Sequence, residues 1–222
     1  NDNIDAVTRR LADVGMVTPR LVPTRDGCLS VDLGAKAGLW RLQTYVDGVS
    51  FDAVASLGQA HAAGCLVAHF QRALDGLDHE FVGMRAGVHD TAQHLARLRE
   101  ALGVHLDHRL HREVSALAAD LFAATGDLPP LPILPRCVCH GDPKLNNILF
   151  AGLEPPAAEQ ALCLIDLDTV GPMALAHELG DAWRSWCNRS PEDASEAKFD
   201  VEIFRASFEG FRDSLGRLLG AD

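Results

Sequence analysis

The stretch His140-Gly141-Asp142-Pro143-Lys144-Leu145-Asn146-Asn147-Ile148-Leu149-Phe150 decides how this chain is interpreted. A second motif, Leu164-Ile165-Asp166-Leu167-Asp168, places an aspartate 24 residues after Asp142. An Asp, an Asn five residues later and an Asp that leaves an apolar strand are the groups needed to orient a hydroxyl and to hold Mg²⁺ against a nucleoside triphosphate. The two motifs together predict phosphoryl transfer to a small molecule.

The chemistry of phosphoryl transfer assigns a task to each of these side chains. One carboxylate must face the attacking hydroxyl, and we expect Asp142 to be this general base. Mg²⁺ prefers oxygen ligands and usually keeps several waters, so we expect Asp166 and the amide oxygen of Asn147 to bind it. Lys144 is placed to direct a compact positive charge at the γ-phosphate. Asp168 is either a further metal ligand or a solvated turn residue, and we assign it to the metal.

Each member of the motif, taken alone, has an ordinary structural explanation. His-Gly-Asp suits a turn, and a carboxylate after a strand is commonly a helix cap or part of an Asx-turn. Three members in the right order at compatible spacing favour the catalytic interpretation. His140 is the exception, because a brace for the loop explains this histidine better than a proton carrier does.

The motifs resemble those of the aminoglycoside phosphotransferase/choline kinase superfamily, which is related to the protein kinases. His-Gly-Asp-x-x-x-x-Asn followed by Ile-Asp is the pattern that carries this resemblance. A narrower similarity to the N-acetylhexosamine 1-kinase branch lies in six runs: His140 to Phe150, Ile165 to Pro172, Leu179 to Ser185, Trp40 to Gln43, Tyr45 to Gly48, and Phe51-Asp52. The resemblance covers most of residues 1 to 222.

The resemblance implies an α+β, protein-kinase-like fold with a partial small lobe and a mostly helical large lobe. We expect the partial small lobe at residues 1–47 and the large lobe, with the catalytic loop, at residues 48–222. The segment from Gln43 to Gly48 is then the hinge, and ATP is expected to contact Gln43 and Tyr45 there. The implied cofactors are ATP and Mg²⁺.

The resemblance also implies a substrate class. The expected activity is ATP-dependent phosphorylation of a sugar hydroxyl, specifically the anomeric hydroxyl of an N-acetylhexosamine. An aminoglycoside or amino-alcohol kinase of the choline or homoserine type is the alternative within enzymes. A second alternative is a pseudokinase-like binding module or an inactive fragment. The intact Asp142, Asn147 and Asp166 argue against that module, whereas the missing lysine described below argues for it.

Two features that are usual in such kinases do not occur in this sequence. No Gly-x-Gly-x-x-Gly is found, and the only lysine ahead of the catalytic loop is Lys36, in what reads as a turn. We therefore expect residues 1–47 to be the later half of a small lobe, without its first strands and glycine-rich loop. On this interpretation the chain is a fragment, and its own activity is left open.

A helix after the metal motif supplies candidate substrate contacts. Glu178 and Asp181 open this helix, and negative charge in a first turn suits the helix dipole, which is the simplest explanation of both. Arg184 and Asn188 are four residues apart and are expected on one helical face, where they are candidates for contacting substrate hydroxyls.

Hydrophobic periodicity and turn residues predict the remaining elements. Helices are expected at Ile4 to Val14, after a cap at Ser50 or Asp52 with His61 in the core, after Asp90 or Thr91 with Leu95, Leu98 and Leu102 inward, at Val114, Leu117 and Leu121 up to about Gly126, and at Phe204, Phe208, Phe211, Leu215 and Leu218. Strands are expected at Leu21-Val22, Cys28 to Leu33 and Leu39 to Val46, and an extended approach to the loop is expected at Pro129, Pro130, Pro132 and Pro135.

Composition narrows the class of protein only broadly. With 222 residues, 47% of them hydrophobic, the chain can bury a substantial core. The formal charge of −11 argues against a nucleic-acid partner and suits a cationic small molecule weakly. No apolar run approaches the roughly 18 residues of a membrane span, and we expect a cytoplasmic enzyme with a sugar or amino sugar as its partner. The oligomeric state is not predicted.

Overall fold

The computed structural model describes residues 1–84, 90–126, 128–129, 136–190 and 197–216. The chain forms two compact units, one from residues 1–84 and 134–222 and the other from residues 85–133. The predicted lobe boundary at residues 47 and 48 does not coincide with these units and stays a prediction. Within the described ranges, no helix has the length and apolar character needed to cross a membrane.

Six helices and six short strands make up the described part of the chain, which is α+β as predicted. The helices are α1 (Asp2–Asp13), α2 (Leu57–Ala73), α3 (Thr91–Val104), α4 (His111–Gly126), α5 (Leu175–Trp186) and α6 (Val201–Leu215). The strands are β1 (Val31–Asp32), β2 (Leu39–Trp40), β3 (Arg136–Cys139), β4 (Ile148–Phe150), β5 (Ala161–Leu164) and β6 (Gly171–Ala174). They form three antiparallel pairs, β1 with β2, β3 with β6, and β4 with β5.

The strands before α2 are shorter than the sequence predicted. Only the two-residue strands β1 and β2 form, and Leu21 pairs with Gln43 in an isolated bridge. Exposed apolar residues accompany the short pairing, including Leu39 and Trp40. Because the strand preference of such residues depends on neighbours that cover them, a β-rich sequence without such cover pairs only briefly.

Helix α2 begins later than predicted. The cap is Ser56, whose side chain accepts the Gln59 backbone N–H at 3.0 Å, and the predicted caps Ser50 and Asp52 are wrong. Gln59 also accepts the Ala55 N–H at 2.8 Å, a variant of the capping box. His61 is exposed on this helix, so the prediction that it lies in the core is wrong as well.

Helices α2 and α6 cross with their backbones in close approach. A Cβ added at Gly64 would lie 2.0 Å from the Ser207 carbonyl oxygen, and one at Gly210 would lie 2.1 Å from that of His61. The buried stripe of α6 therefore runs through small residues, and it includes Ile203, Ser207, Gly210, Phe211 and Leu215. Phe208, which the spacing placed inward, is exposed, and Leu218 lies outside the described residues.

The second unit contains the helices α3 and α4. Asp90 caps α3 by accepting the Gln93 N–H at 2.8 Å, and the predicted inward residues Leu95, Leu98 and Leu102 are half-buried. The predicted inward face of α4 is wrong, because Val114, Leu117 and Leu121 are exposed. The covered face instead carries His111, Ser115, Ala118 and Phe122, with the His111 ring 3.1 Å from the Leu102 carbonyl oxygen and Arg99 over the Phe122 ring. Of the predicted extended approach, Pro130, Pro132 and Pro135 lie outside the described residues.

Candidate active site

Strand pairing brings the two sequence motifs together. The predicted catalytic loop, residues 140–147, connects β3 with β4. Strand β4 pairs with β5 so that Ile148 lies opposite Leu164. The Ile165 N–H donates to the Asn147 carbonyl oxygen at 2.9 Å, which extends the pairing by one step. Asn147 and Asp166 consequently lie at the same end of this two-stranded sheet.

Asp142 is held in place by two residues of its own loop. Lys144 Nζ lies 2.9 Å from Asp142 Oδ2, and Asn147 Nδ2 donates to the Asp142 carbonyl oxygen at 2.8 Å and to Oδ2 at 3.2 Å. The Asp142 side chain keeps 32% exposure, so one face of the carboxylate is open to a ligand. Since the Asn147 nitrogen donates to Asp142, the amide oxygen Oδ1 is the atom suited to a cation.

His140 braces the loop, as the sequence predicted. The ring is fully buried, its Nε2 lies 2.7 Å from the Ile165 carbonyl oxygen, and Nδ1 accepts the Asp142 N–H at 3.3 Å. Burial lowers the pKa of the imidazole. A neutral ring that donates from Nε2 satisfies both contacts, so the ring ties the loop to the residue before Asp166.

Gly141 has a conformation and surroundings that exclude a side chain. Its φ is +86°, and a Cβ at this position would lie 2.6 Å from the Thr169 carbonyl oxygen. Thr169 also donates from Oγ1 to the His140 carbonyl oxygen at 2.8 Å. The turn that follows β5 therefore packs directly on the loop between β3 and β4.

Glu178 is a site residue that sequence reasoning missed. Its carboxylate accepts the His140 N–H at 2.8 Å and the Gly141 N–H at 2.9 Å, and the residue is 1% exposed. Burial raises the pKa of Glu178 to about 7, against the opposite effect of these two N–H donors. A sequence signal was present, because Leu175, Glu178 and Ala182 share one helical face that is otherwise apolar.

Asp166 and Asp168 follow β5 in a tight turn. Asp166 has φ 61° and ψ 57°, the left-handed region that few residues other than glycine adopt. Arg41 reaches Asp168 with both terminal nitrogens, at 2.5 and 2.7 Å. This hydrogen-bonded guanidinium lowers the pKa of Asp168, and the pKa of Arg41 is raised in return. Nothing in the sequence indicated this partner of Asp168.

Gln43 and Tyr45, the candidate nucleotide contacts, lie in an extended segment. Gln43 is half-buried in its bridge with Leu21, and Tyr45 is 84% exposed. Thr44 between them donates its N–H to the Arg20 carbonyl oxygen at 2.9 Å. Because Arg41 of the same segment contacts Asp168, the segment passes near the metal motif, and its nucleotide contacts stay a prediction.

Arg184 and Asn188 do not share a helical face, which corrects the sequence analysis. Helix α5 ends at Trp186, and Asn188 forms an antiparallel bridge with Phe199. The Asn188 side chain accepts the Ser190 N–H at 3.1 Å, an Asx-type turn that replaces the helical hydrogen bond. Arg184 pairs with Asp181 at 3.0 Å. Their contacts with a substrate stay a prediction.

The donor set at this site fits a hard divalent cation. The oxygen donors are the Asp166 carboxylate and Asn147 Oδ1, with Asp168 beside them, and Mg²⁺ takes such oxygen ligands together with waters and phosphates. In the part of the chain that the structure describes, no cluster of three or more His, Cys, Asp or Glu side chains is preassembled for a metal. Two protein ligands completed by phosphates and water are the arrangement that the chain offers.

The α+β fold and the geometry of the loop agree with the class of protein that the motifs resemble, the phosphotransferases. The model of one family, described as "Phosphotransferase enzyme family", matches residues 2–212, and the chain belongs to this family.

Solved structures of small-molecule kinases share the fold. An amicoumacin kinase in complex with AMP-PNP, Ca²⁺ and Ami is 14% identical, with a TM-score of 0.61, and the match covers 96% of this chain and 61% of the kinase. An aminoglycoside phosphotransferase from Alicyclobacillus acidocaldarius is 18% identical, with a TM-score of 0.58 and coverage of 95% and 63%. A microcompartment-associated aminopropanol kinase is 19% identical, with a TM-score of 0.56 and coverage of 96% and 65%. The chain thus spans less than two thirds of each.

Proposed function

We propose that this chain carries the catalytic loop and metal site of an ATP- and Mg²⁺-dependent kinase that phosphorylates a hydroxyl of a small molecule. The observation that supports the proposal most is the arrangement of Asp142, Asn147 and Asp166. Asn147 donates to Asp142 at 2.8 and 3.2 Å. Asp166 lies just after β5, and β5 pairs with β4, the strand that begins directly after Asn147. Membership in a phosphotransferase family agrees with this arrangement.

The mechanism assigns the proton to Asp142. The open face of its carboxylate would accept a hydrogen bond from the acceptor hydroxyl and take the proton as this oxygen bonds to the γ-phosphorus. The bond from that phosphorus to the β,γ-bridging oxygen would break, and ADP would leave. Asn147 keeps the carboxylate in this orientation through Nδ2. His140 and Glu178 hold the loop backbone from behind, so little rearrangement accompanies the reaction.

Positive charge at the phosphates comes from Lys144 and the cation. Asn147 Oδ1 and the Asp166 carboxylate would hold Mg²⁺, which offsets charge on the phosphate oxygens when bound. Lys144, now 2.9 Å from Asp142, has a flexible stem and can reach a phosphate beside the base. Gln43 and Tyr45 of the hinge would contact the nucleotide.

We propose an N-acetylhexosamine, phosphorylated at its anomeric hydroxyl, as the acceptor. Support comes from the runs at residues 165–172 and 179–185, which resemble the branch with that activity. Arg184 and Asn188 are candidate acceptor contacts. An aminoglycoside or amino alcohol is the second candidate, favoured by the net charge of −11, which suits a cationic acceptor.

A phosphotransfer screen tests both candidates. The protein, expressed from its full reading frame, is incubated with Mg²⁺, ATP labelled in its γ-phosphate, and one acceptor at a time. The acceptors are N-acetylglucosamine, N-acetylgalactosamine, choline, homoserine and kanamycin. We expect labelled sugar 1-phosphate with the wild type and none with Asp142→Asn. Label on choline or kanamycin alone would contradict the sugar assignment. Nucleotide binding without transfer to any acceptor would favour the binding module.

A further inference from the structure

A guanidinium from the segment before the predicted hinge fastens the turn that follows the metal strand. Arg41 donates to both carboxylate oxygens of Asp168, at 2.5 and 2.7 Å, although the two residues are 127 positions apart. Two parallel N–H bonds to one carboxylate are the strongest geometry for such a pair, and they fix direction as well as distance.

The guanidinium half of the pair is partly shielded from water. The Arg41 side chain is 29% exposed, whereas that of Asp168 keeps 55% exposure. Asp166 acts on Arg41 through its charge as well, in the same direction as Asp168. One cation therefore balances two aspartates that lie two residues apart and would otherwise repel each other.

The turn that carries the pair is connected to the catalytic loop. Thr169, the next residue, donates to the His140 carbonyl oxygen at 2.8 Å, and Leu167 on the other side is buried. Asp166 precedes this turn in a left-handed conformation that its neighbours must hold. A displacement of Asp168 would consequently move Asp166 and the loop that begins at His140.

We propose that Arg41 is a positioning residue of the candidate metal site, which clamps Asp168 and thereby holds Asp166 in the orientation that Mg²⁺ requires. The metal part of this inference rests on the proposed function. Asp168 then acts on Mg²⁺ through Arg41 and the turn, since the guanidinium engages both of its oxygens. A lysine cannot replace Arg41, because an ammonium lacks the planar fork that matches a carboxylate.

A double-mutant cycle without nucleotide tests the clamp itself. Thermal unfolding is measured for the wild type, Arg41→Met, Asp168→Asn and the double variant, with Arg205→Met and Glu202→Gln as a matched exposed pair. We expect each single change at the clamp to lower Tm by about 2–4 °C, with no further loss in the double variant. Arg41→Lys should behave like Arg41→Met. Additive losses would overturn the proposal.

Titration of Mg²⁺ at fixed ATP tests the link to the metal. The readout is the rise in Tm as Mg²⁺ is added. Arg41→Met and Asp168→Asn should raise the Mg²⁺ concentration that gives half of this rise by the same factor, about 5–10-fold, and the double variant should match them. A rise with Asp168→Asn alone would make Asp168 a direct ligand and overturn the proposal. A non-additive Tm without any response to Mg²⁺ would refute the metal site of the proposed function while leaving the clamp as a fastening of the two segments.

Discussion

Glu178 lies beneath the catalytic loop with both carboxylate oxygens bonded to consecutive backbone amides, those of His140 and Gly141. Burial raises its pKa to about 7. Its ordinary value is about 4.3, which also applies to the unfolded chain. The stability that this group contributes is therefore fully present below about pH 4.3 and is lost as the pH rises through 7, because the unfolded carboxyl gives up its proton first.

We expect Glu178→Gln to remove this pH dependence. The measurement is the free energy of unfolding in urea at pH 5, 6, 7 and 8, expressed as wild type minus variant, which cancels the other titrating groups. The difference should fall across this range as the pH rises. Glu202→Gln, at an exposed position of α6, serves as the control and should show a flat difference. A flat difference for Glu178 too would contradict a buried group that titrates.

Asp142→Asn tests the base. An amide keeps the shape of the carboxylate but cannot take the hydroxyl proton, so kcat should fall by about 10²–10⁴ with little change in nucleotide affinity. Steady-state kinetics with the acceptor from the screen measure the loss. Asp213→Asn, at an exposed position near the end of α6, should leave kcat unchanged. Survival of kcat within a few-fold would refute the assignment.

Single residues of the site differ in how far the sequence predicts them. Asp142, Asn147 and Asp166 were predicted as site residues because phosphoryl transfer needs those residue types, and their roles stay predictions. The burial of Glu178 is indicated by the otherwise apolar helical face that it shares with Leu175 and Ala182. Its partners, like the partner of Arg41, are not predictable from the sequence, because only the tertiary fold brings them near.

At the scale of elements, the crossing of α2 and α6 decides much of the packing. Gly64→Ala should destabilise the protein by about 1–3 kcal/mol or more, because its Cβ would meet the Ser207 carbonyl oxygen, which belongs to a backbone that cannot move alone. Gly180→Ala in α5 is the matched control. A Cβ there meets nothing within 4 Å, so this change should stabilise by about 0.5–1 kcal/mol. Urea midpoints measure both, and equal effects would contradict a close crossing at Gly64.

The same crossing explains which elements the sequence predicted well. Helices were located, since their apolar periods are long, but their faces were assigned by counting large residues. In α6 the buried stripe contains Ser207 and Gly210 because the helices need small residues at their contact, so Phe208 turns outward. In α4 the apolar residues Val114 and Leu117 are exposed, although their spacing predicted burial.

At the scale of the whole molecule, the phosphotransferase family and the α+β class were predicted from a resemblance carried by a few short motifs. A motif specifies chemistry, and it indicates a fold only through its resemblance to a family whose fold is known. Motifs say little about elements remote from the chemistry. The lengths of β1 and β2 were therefore predicted poorly. The identity of the acceptor is equally hard to predict from the motif, because side chains of other loops and helices form the acceptor pocket.

Stabilisation by Mg²⁺ and ATP should separate the two acidic residues across the whole molecule. A ligand at 100 times its Kd stabilises the folded state by about 2.7 kcal/mol, a rise of several degrees in Tm for a chain of this size. Asp142→Asn should keep this rise, because the base faces the acceptor. Asp166→Ala should lose its Mg²⁺-dependent part, because the proposed function makes this carboxylate the main anionic ligand. Adenosine, which has no phosphates, is the control and should shift both variants equally. A rise that survives in Asp166→Ala but vanishes in Asp142→Asn would exchange the two roles.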